Sequence, residues 1–147
     1  MTDIAVEPAA LGKAPWHLWV VGALSLLWNA SGAYTIMAAQ SGAVMDMDPA
    51  EVAYYAAQAP WFVAVTDVAL VAAVLAAAAL LLRSRWAVRL FWVSLAAIAV
   101  TSAYDIAQGT ALLLRDGEWL ILSGLTTGLA IAQLGYAITM RRRGVLR

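Results

Sequence analysis

Two carboxylates interrupt apolar stretches of this sequence, and they mark where chemistry would sit. Asp67 follows Trp61-Phe62-Val63-Ala64-Val65-Thr66, and Asp105 lies near the end of the run that starts at Ala87. An ionisable side chain within hydrocarbon is costly and points to a functional site by default. Thr101, four residues before Asp105, shares its helical face, and Gln108, three residues after it, lies on a nearby one. Tyr104, one residue away, does not. The candidate polar pocket is therefore Asp67, Thr101, Asp105 and Gln108. Such a set can bind a proton, a cation or a polyol, because carboxylates and amides hydrogen-bond sugar hydroxyls. The competing reading is structural: Asp105 meets water at the end of its segment, and Asp67 bonds to a helix neighbour or is protonated. The sequence has no cysteine and one histidine, His17. That excludes disulfides, thiolate metal sites and a bis-histidine haem within one chain. No Ser–His–Asp or Cys–His arrangement is available, so neither an enzyme, a metal nor a cofactor is expected.

The elements that must position these residues follow from composition. Of 147 residues, 64% are hydrophobic and 12% charged. A soluble domain is about 45–50% apolar and about 25% charged. The balance excludes a soluble globular domain, a disordered tail and a nucleic-acid partner, and makes the lipid bilayer the expected surrounding. A membrane-crossing helix needs about 20 mostly apolar residues. Four stretches qualify: 16–39, 61–82, 87–109 and 119–140, between a leader, 1–15, and a basic tail, 141–147. The expected fold is all-α: one polytopic domain, 1–147, of four transmembrane helices in an antiparallel bundle. The first stretch outruns the roughly 7–15 apolar residues of a signal peptide, so it reads as a span.

Cytoplasmic loops are enriched in Lys and Arg. One side of the expected bundle holds Lys13, Arg83, Arg85, Arg89, Arg141, Arg142, Arg143 and Arg147, and the other holds Arg115. Both termini should be cytoplasmic. The arginine tail reads as a stop and an anchor to anionic headgroups. The outer connection carries Asp48-Pro49-Ala50-Glu51, where Asp48 can cap a helix, Pro49 suits its first position and Glu51 completes a capping box. It predicts a short outer-face helix from Pro49 to about Gln58, with Tyr54 and Tyr55 at headgroup depth.

Trp16, Trp19, Trp61, Trp86 and Trp119 fall at or near span ends, the depth that tryptophan prefers. Trp28 and Trp92 lie deeper and read as packing residues. Asn29, Tyr34 and Gln133 are intramembrane polar groups suited to bonding between helices. Gly124 and Gly128 on span four, and Ala69, Ala73 and Ala77 on span two, form small-residue faces for helix packing, inside the chain or in a homodimer.

The stretches His17–Gly22 and Leu27-Trp28-Asn29-Ala30-Ser31-Gly32-Ala33-Tyr34 are similar to a family of small bacterial four-helix membrane proteins often labelled sugar transporters. Pro60-Trp61, Arg83-Ser84-Arg85-Trp86-Ala87-Val88 and the final Arg143-Gly144-Val145-Leu146-Arg147 extend the resemblance over the whole chain. It implies a four-helix membrane fold and transport of a small, sugar-like polar solute. Members often carry an acid where this chain has Thr35, and are aromatic and apolar around Thr66 and Asp67. No site residue is therefore transferred. Two functions are expected from these readings. One is a small-solute transporter, dimeric because four helices barely enclose a path. The other is a non-catalytic accessory or structural subunit of a larger membrane complex.

Overall fold

The computed structural model describes residues 13–44, 46–110 and 117–147, the last with side chains from Leu120 onward. Most of the leader, residue Arg115 and the side chain of Trp119 lie outside the described residues. The described chain folds into α1 (Trp16–Gln40), α2 (Pro49–Ala56), α3 (Pro60–Leu81), α4 (Trp86–Ala107) and α5 (Gly117–Arg142), with no strand among the described residues. Four of these are long and apolar enough to cross a membrane: α1, α3, α4 and the Leu120–Arg142 part of α5. The short helix has the expected local cause. The Asp48 carboxylate accepts from the amides of Ala50 and Glu51, and Glu51 Oε2 accepts from the Asp48 amide, at 2.6, 3.0 and 3.1 Å.

All four long helices end at a left-handed residue, Gly109 (φ +68°) after α4 among them. After α1, Gly42 (φ +73°) turns left-handed, and the amides of Gly42 and Ala43 donate to Ala39 and Ala38 carbonyls. After α5, Gly144 (φ +68°) does the same, with Gly144 and Val145 donating to Arg141 and Met140. After α3 the left-handed position is occupied by Arg83 (φ 57°), a residue that pays about 1 kcal/mol there. The chain terminus offsets that strain. The Arg147 amide donates to the Arg83 carbonyl and the Arg85 amide to the Arg147 carbonyl, both at 2.6 Å, while Arg83 Nε donates to the Val145 carbonyl at 3.1 Å. The tail expected as a basic anchor keeps Arg141, Arg142 and Arg143 exposed, while its last residues are bonded to the turn after α3. Arg141 and Arg142 complete α5, and Val145 and Leu146 are buried.

Those two side chains join a core of Leu18 from α1, Ala76, Ala77, Ala79 and Leu80 from α3, Ala87, Val88 and Phe91 from α4, and Leu134, Ala137 and Met140 from α5. All four long helices meet at this end. The helix α3 is central, packing most extensively on α4 and next on α1. Its small residues Ala69, Ala73 and Ala77 are buried in those contacts. Gly22 makes the α1–α3 crossing close: a Cβ there would fall 2.5 Å from Leu81 Cδ2. The first half of α5 behaves differently. Leu120, Ile121, Leu122 and Leu125 are exposed, and nothing described lies within 4 Å of where a Cβ on Gly124 or Gly128 would be. Trp28 and Trp92, expected to pack, are 37% and 55% exposed instead.

Candidate functional site

Helical spacing sets the depth of a residue, and the packing of helices sets its direction. The four residues of the expected pocket separate on that second point. Asp105, near the end of α4, accepts from the Tyr54 hydroxyl at 3.2 and 3.4 Å and from Thr110 Oγ1 at 3.1 Å. Thr101 turns its hydroxyl back onto its own helix, donating to the Ala97 and Ile98 carbonyls. Gln108 is the exposed C-cap residue of α4. Asp67 opens into a trough on α3 lined otherwise by Val68, Val71, Ala72, Leu75 and Leu90, and its Oδ1 is buried with no hydrogen-bond partner. No described contact joins Asp67 to Asp105, so the four residues do not form one pocket.

Asp105 instead belongs to a small cluster at the α2 end of the bundle. The short α2 buries none of its residues, and Tyr54 is its hydrogen-bonded link to the end of α4. Tyr55 stacks edge-on against Tyr54, with ring centroids 5.2 Å apart. Burial, then the nearby Asp105 charge, raises the Tyr54 phenol well above the ordinary tyrosine range, while burial, then Glu51 and Asp105, raises Tyr55. Beside this link, Tyr104 packs against Trp61 and Phe62 at centroid distances of 4.9 and 5.2 Å, tying the start of α3 to the end of α4.

Two of the three polar groups expected to act between helices do meet. Asn29 Nδ2 donates to Gln133 Oε1 at 3.1 Å, joining α1 to α5. A second link between these helices joins His17 Nδ1, near the start of α1, to the Tyr136 hydroxyl at 2.6 Å. Tyr34 takes no part and is 78% exposed. Between α1 and α5 lies a cleft of about 630 Å³. It is lined by Ser25, Trp28 and Ser31 of α1 and by Leu129, Gln133 and Tyr136 of α5, among others. Ser25 and Gln133 are buried. A mostly apolar wall with a few placed hydrogen-bonding groups, of this volume, is the usual form of a small-molecule site.

Sequence reasoning missed this cleft. Ser25 and Ser31 sit six residues apart within one apolar run, and only the facing of α1 and α5 makes them neighbours of Gln133 and Tyr136. The pairing of His17 with Tyr136 has no sequence signal either, since it depends on how the first and last spans approach. Tyr54 was legible as an interfacial residue, but not as the partner of Asp105. Among the described residues, no three His, Asp or Glu side chains gather as a metal site would require. Comparison with protein-family models, with curated proteins and with solved structures finds no match to this chain.

Proposed function

We propose that this chain is a multi-pass protein of a bacterial inner membrane that moves a small, sugar-like polar solute through the cleft between α1 and α5. In this reading the four spans run antiparallel in sequence order, with both termini in the cytoplasm. The turn after α3 and the end of α5, which carry most of the arginines, are bonded to each other through Arg83, Arg85 and Arg147, in keeping with one basic face. The observation that carries the transport reading is the cleft itself. It places Ser25, Ser31, Gln133 and Tyr136 part-way along two spans whose inner ends are packed shut around Leu18, Leu134 and Met140. Hydroxyls and an amide in such a place suit a polyol, and the resemblance to proteins labelled sugar transporters points the same way.

The test is uptake. The purified chain in proteoliposomes is expected to admit small polyols, and Gln133→Leu is expected to remove that flux while the variant still folds and inserts. Wild-type liposomes no leakier than protein-free ones across a series from glycerol to hexoses would overturn the reading.

A specific observation favours a second reading, that of an accessory subunit. The first half of α5 exposes Leu120, Ile121, Leu122 and Leu125 beside Gly124 and Gly128, a surface that the chain itself leaves uncovered. Small residues allow close approach of another helix in a bilayer. Native mass of the chain, tagged at its own locus and extracted in mild detergent, separates the two. Stoichiometric larger subunits support the accessory role, and a free homodimer supports transport.

A further inference from the structure

Exposed arginines gather where the α3–α4 turn meets the tail, and the fold holds them there on two segments bonded to each other. Arg85 and Arg89 come from the start of α4, and Arg141, Arg142, Arg143 and Arg147 from the end of α5 and the tail; all are exposed. Positions 85 and 89 are four apart and share a helical face. The Arg89 guanidinium lies over the Trp86 ring, 4.6 Å from its centroid, which braces it. The tail is tied to the turn. The Arg85 amide donates to the Arg147 carbonyl, the Arg147 amide donates to the Arg83 carbonyl, and Val145 and Leu146 are buried in the core. Among the residues with described side chains, every acid lies elsewhere: Asp46, Asp48 and Glu51 before α3, Asp67 in its first half and Asp105 near the end of α4. Two exposed apolar side chains, Leu82 and Trp86, border the turn.

We propose that this platform is a binding site for one lipid molecule that carries two phosphate groups. A guanidinium meets a phosphate with two parallel N–H donors. Arg85 and Arg89 take one phosphate, and Arg143 and Arg147 take the other. The bonds between turn and tail set the two pairs beside each other, so a headgroup with both phosphates on one short linker engages the second pair as an intramolecular step. The acyl chains lie against Leu82 and Trp86. That apolar border selects a lipid over a free polyphosphate, which would leave it uncovered. A basic tail drawn loosely to an anionic leaflet needs no fixed geometry. Here residues 143–147 are seated on the turn, and the seating brings together arginines about sixty positions apart in the chain. The site is separate from the α1–α5 cleft, and it stands whether or not that cleft carries a solute.

Native mass spectrometry of the full chain in mild detergent, titrated with tetraoleoyl cardiolipin, tests it. The expected result is one adduct that saturates before a second appears. In the Arg85→Gln/Arg147→Gln double variant, which changes only exposed side chains, binding should be at least about tenfold weaker. Val145→Ser/Leu146→Ser keeps every arginine but loosens the tail, and it should weaken binding as well. Dioleoylphosphatidylglycerol at twice the concentration, which matches the charge, should bind less tightly, and inorganic pyrophosphate should not displace the lipid. Equal binding by wild type and the arginine variant would overturn the proposal. So would full binding by the loosened tail or by phosphatidylglycerol at matched charge, which would mean diffuse attraction. Displacement by pyrophosphate would also overturn it and assign the arginines to a free phosphate ligand.

Discussion

Single side chains do two separable jobs at the ends of this molecule. At the α2 end, Tyr54 holds α2 to Asp105. Since α2 buries no residue of its own, Tyr54→Phe should release it: hydrogen exchange of the α2 amides should quicken while α3 stays protected. The expected cost is about 1 kcal/mol, the usual net worth of such a bond at a partly wet site. The pH dependence has a definite sign. The folded state raises the Tyr54 phenol above its ordinary value of 10.0, so it holds the proton that the unfolded chain would lose. The contribution is complete below pH 10.0 and declines as pH climbs from there through the folded value. Alkaline titration of wild type should therefore show a loss of α2 protection that Tyr54→Phe lacks. At the other end, Arg83 occupies a left-handed position that glycine would fill without strain. Arg83→Gly and Arg83→Ala both lose the side-chain bonds, so their difference isolates the backbone. The alanine variant is expected to melt lower, by about 1 kcal/mol of stability.

Whole helices were far easier to read from the sequence than the faces they present. Span positions follow from length and apolar content, which no tertiary contact has to supply, and the structure places α1, α3, α4 and α5 within a few residues of the expected stretches. The helix α2 was equally legible, because Asp48 and Glu51 make their bonds within one turn. Rotation about the helix axis is different. Asp67 borders an apolar trough while Asp105 faces Tyr54, and on α3 it is Ala69, Ala73 and Ala77 that turn inward. In a sequence apolar on every side, no polar stripe records that rotation. The same limit applies to the glycines. A G-x-x-x-G step was visible on α5, but the close crossing uses Gly22 of α1 against Leu81. Gly22→Ala is expected to cost about 1–3 kcal/mol by overpacking, read as a lower unfolding midpoint in detergent. Gly128→Ala should leave the monomer's midpoint unchanged, since its Cβ meets open space. If it lowers a dimer's dissociation midpoint, the uncovered half of α5 is the interface. Between α1 and α5, Asn29→Leu should cost about 1 kcal/mol or less, as intramembrane amide bonds typically do.

At the scale of the molecule, the two ends differ in construction. One end is a packed core where four helices and the chain terminus converge, and the other is held by aromatic edges and the Tyr54–Asp105 link. Large side chains such as Leu24, Leu27, Val68 and Ile121 stay exposed around the middle, an arrangement that lipid rather than water can solvate. The proposed orientation puts the core end in the cytoplasm, and the sequence itself makes the test clean, because it contains no cysteine. Single cysteines can therefore report on each end without background. Ser84 lies in the α3–α4 turn beside Arg83 and Arg85, and Ala43 is exposed in the connection between α1 and α2. A membrane-impermeant maleimide applied to spheroplasts should label Ala43→Cys at once and Ser84→Cys only after the membrane is opened. The reverse pattern would place the arginines outside and overturn the orientation. Labelling of both in intact spheroplasts would mean two insertion directions, which the one-sided placement of Arg83, Arg85, Arg141, Arg142, Arg143 and Arg147 argues against.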